Sequence, residues 1–328
     1  MPSLDSFKSR KTLTVGAKTY AYYSLEAAAQ NGLGDISRLP VSLKVLLENL
    51  LRFEDGKTVT QDDIKAFAPA NLTAENLEIV VVGEVEQADI MAKLAFLQNL
   101  PQSGNSVREQ PAAPQYTGNT LYLIDKPGAA QSEIRVGYLS DVQYDPTGVY
   151  FERQLMNYVL GGAFNSRINL ILREEKGYTS GARSGFSAGR LPGPFTASAS
   201  VRTDTTADSV VQFVNEIKGY RDNGITPEEL AFTQNSIGQS EALDYETPGQ
   251  KANLLQQIIT WDLQSDFVKR QQQIISGLTV EHVNELAKAH LPFETMQILV
   301  VGDKAIINDS LVALGYNIVE LDTEGNPL

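Results

Sequence analysis

The 328-residue sequence predicts an α+β fold: a mixed or antiparallel sheet with helices on one face, preceded by a partial domain. Three observations predict it. Apolar segments of period two and of period 3.6 are segregated along the chain. One unit of capped helix, turn and buried strand occurs twice. The first copy lacks the other strands that accompany the second.

Residues 1 to about 57 differ in character from the rest. Ser24 is placed to cap a short helix through Ala29, which Gly32 and Gly34 end. After Pro40, residues Leu43, Leu46, Leu47, Leu50 and Leu51 recur at helical spacing and predict an amphipathic helix. The run Lys18-Thr19-Tyr20-Ala21-Tyr22-Tyr23-Ser24-Leu25, with residues 34–52 from Gly34-Asp35-Ile36-Ser37 to Leu50-Leu51-Arg52, resembles the extreme N-terminus of bacterial aconitase. That family's cluster ligands are cysteines, and this sequence has none, so aconitase activity is set aside.

From Thr60 the repeat begins. A shift of 219 residues lays Thr60–Gly83 over Thr279–Gly302 without a gap, and nine of the 24 positions are identical. Each copy predicts a capped helix and then a strand, Leu77–Val82 in the first and Met296–Val301 in the second. A helix follows at about Ala88–Gln98, and Pro101, Pro111 and Pro114 mark residues 101–119 as a linker. The boundaries expected are therefore 1–57, a remnant of a first domain plus linker at 58–119, and a complete domain at 120–328.

In that last part strands are predicted at Leu121–Asp125, Glu133–Leu139, Tyr178–Ser187, Phe195–Arg202 and Asn317–Leu321. Helices are predicted at Thr147–Leu160, Ser166–Glu175, Ala207–Asn223, Pro227–Asp244, Gln250–Trp261 and Val280–His290. Gly185–Phe195 reads as a hairpin loop, and Trp261 as core. Small residues along Phe195–Val201 fit two roles equally: close packing against a helix, or an edge that pairs with an extended peptide.

Composition excludes several classes. With 40 acidic against 27 basic residues the net charge is −13, which repels phosphate backbones, so no nucleic-acid partner is expected. The longest apolar run, Leu77 to Gly83, is too short to span a bilayer, and no membrane partner is expected. Met1–Arg10 has no apolar core of signal-peptide type, so the chain as written is expected in the cytoplasm.

The most informative stretch is Gly161-Gly162-Ala163-Phe164-Asn165-Ser166-Arg167, running on to Leu172-Arg173-Glu174-Glu175-Lys176-Gly177-Tyr178. It closely resembles the non-catalytic C-terminal half of the M16 (pitrilysin/insulinase-like) zinc peptidases, whose domains have an M16-type (LuxS/MPP-like) fold. The resemblance implies a divided active site: one half holds zinc, the other lends an arginine and a tyrosine to the substrate. A guanidinium and a phenol suit that task, because attack on a peptide carbonyl builds negative charge on oxygen. The arginine falls on Arg173. The family's tyrosine falls on Ser180, which has no ring, and Tyr178 lies two residues earlier. Arg167 is read as structural, and Gly161 and Gly162 as allowing a tight turn. Periplasmic location is also compatible with the resemblance.

The zinc-binding half uses an inverted His-x-x-Glu-His on a helix. Here His282-Val283-Asn284-Glu285 is followed by Leu286, and His290 lies two turns on, roughly 12 Å along the axis. Both are read as helix histidines, and no metal or cofactor is expected. The carboxylates Glu241, Asp244 and Glu246 form no acid–base pair. The expectation is a non-catalytic subunit that contributes Arg173, with Tyr178 or Ser180, to a peptide substrate held by a zinc-bearing M16 partner. A structural core-protein-like homologue and a fusion or remnant gene product stay as alternatives, and a homo-oligomer is left open.

Overall fold

The computed structural model describes residues 3–37, 39–104, 114–240 and 246–328, which divide into two units, Met1–Glu109 and Gln110–Leu328. Glu241 and Asp244 lie outside the described residues, as does the middle of the expected linker.

The first unit opens with an antiparallel hairpin, β1 (Arg10–Val15) and β2 (Lys18–Tyr23), that the hydropathy pattern did not announce. Both faces are exposed nearly throughout, so no apolar alternation marks them. Gly16 supplies the positive φ of +60° that the two-residue turn requires. Ser24 caps α1 (Leu25–Ala28), its hydroxyl accepting from the Ala27 amide at 3.1 Å. After Pro40, α2 (Val41–Arg52) buries Leu47 and Leu51 in a cluster with Phe7, Ile36 and Leu39. The next helix, α3 (Gln61–Asn71), adds Ile64 to that cluster. The helix expected to reach Gln98 is α4 (Gln87–Lys93), followed by a tighter turn at Ala95–Asn99.

The strand expected at Leu77–Val82 does not form; these residues are irregular. A strand exists by hydrogen bonding to a neighbour, and the only strands described in this unit, β1 and β2, pair with each other. Ile79 and Val81 are each 46% exposed.

The second unit is a six-stranded mixed sheet in the order β5-β6-β4-β7-β3-β8. Its strands are β3 (Thr120–Asp125), β4 (Gln131–Leu139), β5 (Thr179–Phe186), β6 (Pro194–Arg202), β7 (Gln297–Gly302) and β8 (Asn317–Leu321). β7 runs parallel to β3 and antiparallel to β4, and β5–β6–β4 is antiparallel throughout. Ile134, Val136, Phe195, Ala197, Ala199, Val201, Ile298 and Val300 alternate onto one face and are buried. Against this face packs α7 (Thr206–Asn223) with Val210, Phe213, Val214, Ile217 and Tyr220, in the same cluster as residues of α5 (Val149–Asn157) and α6 (Arg167–Asn169). Burying one such side chain stabilises by about 1.5–3 kcal/mol.

The remaining helices are α8 (Pro227–Ser240), α9 (Pro248–Trp261), α10 (Phe267–Gly277), α11 (Val280–His290) and α12 (Lys304–Val312). α10 and α12 were not anticipated. Trp261 is not core: it is half-buried, stacking on Tyr144 at 4.5 Å between ring centres. No described helix is long and apolar enough to cross a membrane.

Candidate functional site

The chain between α5 and β5 is a broken helical hairpin. α5 continues through a wide turn to Gly162, the loop Ala163–Ser166 follows, and α6 continues through Glu175. Gly161 is there for proximity as much as for turning: a Cβ on it would lie 2.3 Å from the Ser184 backbone nitrogen of β5. Two buried asparagines then fix the hairpin to that strand. Asn157 Nδ2 donates to Ser184 O at 2.8 Å and its Oδ1 accepts from Ser184 Oγ at 2.5 Å. Asn169 Nδ2 donates to Phe164 O at 2.7 Å, and its Oδ1 accepts from the Ala182 amide at 2.9 Å. Gln154 Nε2 donates to Phe186 O at 2.8 Å.

These bonds have a further effect. β5 is an edge strand, and one outward backbone group each, the Ala182 amide and the Ser184 and Phe186 carbonyls, is satisfied by a side-chain amide. Before these residues lies a bulge between Thr179 and Ala182, where the register with β6 shifts and the Thr179 hydroxyl bonds both the amide and the carbonyl of Gly181. β6 itself is interior, paired with β4 and β5, which removes the option that an extended peptide pairs with Phe195–Val201. Its small residues serve packing on one face, Ala197 and Ala199, while Ser198 and Ser200 open onto the other.

A cleft of about 480 Å³ lies beside that bulge. Arg173 and Ser180 both line it, together with Glu133, Phe164, Asn169 and Arg183. Arg173 is about one-third exposed; its guanidinium sits over the Phe164 ring at 4.5 Å and has Glu174 at 3.5 Å. Stacking of this kind, worth about 0.5–1 kcal/mol at an exposed site, holds the fork in place without consuming its donors. Tyr178 does not line the cleft. It precedes β5 and its hydroxyl bonds Asp208, which pushes the phenol pKa up. Burial raises the Asp208 carboxyl, but hydrogen bonds from Tyr178 and Gln212 and the Lys176 ammonium at 3.5 Å outweigh it and hold the group low. Tyr178 is thus tied to α7, while Ser180, exposed, takes the cleft position.

Arg167 is held away from the cleft by a bidentate pair with Glu229, at 2.7 and 2.6 Å, and by Gly224 O at 3.0 Å. His282 Nε2 lies 3.1 Å from Glu152, and half-buried His290 has its pKa lowered by desolvation and by Arg153. Among the described residues no group of three or more His, Cys, Asp or Glu is placed to hold a metal ion. Glu133, Arg183 and Asn169 line the cleft and were not singled out from the sequence. Only Asn169 lay close enough to the quoted motif to be found from sequence.

The sequence profile of the family described as the peptidase M16 inactive domain matches residues 58–237, more than half of the chain. The chain belongs to this family. Solved structures agree in fold. The peptidase M16 inactive domain from Pseudomonas fluorescens superposes with a TM-score of 0.65 at 20% identity, over 90% of this chain and 82% of that one. A protease from Helicobacter pylori gives 0.61 at 18% identity, over 77% and 61%. The periplasmic protease PqqL from Escherichia coli gives 0.58 at 14%, over 90% and 38%. The N-terminal segment is similar to a different enzyme: it is 68% identical over 66 residues to aconitate hydratase A of Bradyrhizobium diazoefficiens, and 65% over 68 residues to that of Pseudomonas aeruginosa. Those matches cover 20% and 21% of this M16 chain but 7% of each relative.

Proposed function

We propose that this chain is a non-catalytic M16 subunit whose cleft contacts a peptide held by a separate, zinc-bearing M16 chain. Residues 58–119 are read as a remnant of a first M16-type domain plus linker, and the domain from residue 120 as the contributing half. The observation that carries the reading is the situation of Arg173: its guanidinium lines an open cleft, and among the described residues its ion-pair partner is its chain neighbour Glu174 alone. There it can hold a substrate backbone or the oxygen on which charge develops.

The test is peptide hydrolysis by a zinc-bearing M16 partner mixed with this chain. Arg173→Ala is expected to lower the rate by on the order of 10²-fold, as loss of one charge-stabilising donor does. An unchanged rate, with the variant folded, removes the proposal. A second reading, a structural homologue with no proteolytic role, draws on Ser180 and on the bond that turns Tyr178 toward Asp208. That reading predicts no rate enhancement on mixing at all.

A further inference from the structure

The open face of the sheet arranges its side chains in rows. Arg183 on β5 faces Ser198 on β6, which faces Arg135 on β4; in the next row Ser200 faces Glu133. Within this grid the one carboxylate of the cleft is already engaged. Glu133 accepts a short hydrogen bond from Ser200 Oγ and has Arg135 Nε at 3.8 Å. The two guanidiniums that line the cleft are not matched in this way. Among the described residues, exposed Arg183 has no ion-pair partner and Arg173 has only Glu174. A positively charged recess therefore opens in a chain of net charge −13. It has room because the lining is small, with Ser180, Ala182, Ala199 and the glycines around it.

We propose that this recess takes a carboxylate of the bound peptide between Arg173 and Arg183, so that the cleft selects peptides carrying a terminal or side-chain carboxylate at that point. This rests on the reading of the cleft as a peptide-contacting surface. Guanidinium and carboxylate match as paired planar forks, and the hydroxyls of Ser180 and Ser198 add donors beside them.

The experiment is fluorescence anisotropy with the full chain, alone and mixed with a zinc-bearing M16 peptidase. Three labelled versions of one extended peptide are compared: free C-terminus, amidated C-terminus, and amidated with one internal glutamate. A carboxylate-bearing version is expected to bind about tenfold tighter than the neutral one, the scale of one charge-assisted hydrogen-bonded pair. Added salt and Arg183→Gln should both erase that preference. Which charged version gains tells a terminal from a side-chain carboxylate. Equal binding of all three overturns the carboxylate site and leaves peptide contact standing. If no version binds in either condition, the peptide reading fails, and this inference with it.

Discussion

The two copies of the internal repeat, Thr60–Gly83 and Thr279–Gly302, behave alike in their first half and oppositely in their second. Their helices, α3 and α11, begin and end at equivalent residues. Their caps match as well: Thr60 Oγ1 accepts from the Asp63 amide at 3.2 Å, and Thr279 Oγ1 from the His282 amide at 3.2 Å. Then they part. Ile298 and Val300 are fully buried in β7 between β3 and β4, whereas their counterparts Ile79 and Val81 stand half-exposed in an irregular segment. The difference teaches where each kind of structure comes from. A helix satisfies its backbone within itself and needs only a face to bury; a strand needs neighbours, which the described residues of the first unit do not offer the first copy.

The comparison can be broken most directly by introducing a charge at equivalent positions. Val300→Asp places an unpaired carboxylate in a dry core and should cost several kcal/mol, unfolding the second unit in urea melts. Val81→Asp should leave the first unit's midpoint within about 0.5 kcal/mol of the parent. A large loss at Val81 would mean that the segment pairs with something. The helices should instead respond in parallel: Ile64→Ala is expected to cost about 2–5 kcal/mol, and Val283→Ala to act in the same direction by a smaller amount, since fewer methyl groups leave. Smaller still, Thr60→Ala and Thr279→Ala should each cost about 1 kcal/mol, and unequal losses would show that the two caps differ.

The smallest effect is a pH dependence confined to the first copy. The Thr60 hydroxyl and amide hydrogen-bond the Asp63 carboxylate and hold its pKa below the ordinary 3.8. A group with a depressed folded pKa contributes stability that is present above its unfolded value and is lost as pH falls through the folded one. An NMR titration of Asp63 should therefore give a midpoint below that of a free aspartate, and Thr60→Ala should return it upward. The second copy has His282 at this position and should show no such acid step.

How much of this was legible in the sequence follows the same physics. The mixed sheet with helices on one face was readable because β4 and β6 alternate between buried and more open positions, while β7 reads as a continuous apolar run. α12 escaped because it buries Ile307 and Leu311 but exposes Ile306 and Val312, which blurs the period. In α10 the polar run Gln271–Gln273 separates the buried Phe267 from Ile275. Arg173 was found through the motif around it, and the cleft that it lines was not. Glu133 and Arg183 are 50 residues apart in the chain and meet only through the register of β4, β6 and β5. A strand-to-strand register across an interior strand leaves no trace in local spacing.

The amide clamps on β5 have a consequence for how the molecule behaves in a crowded solution. A bare sheet margin is a template on which another chain can lay itself down and begin a fibre. Asn157, Asn169 and Gln154 occupy part of that margin along Ala182–Phe186, and the Thr179 hydroxyl occupies Gly181 in the bulge just before it. Neutral side chains thus act as partial insulation of this rim against self-association.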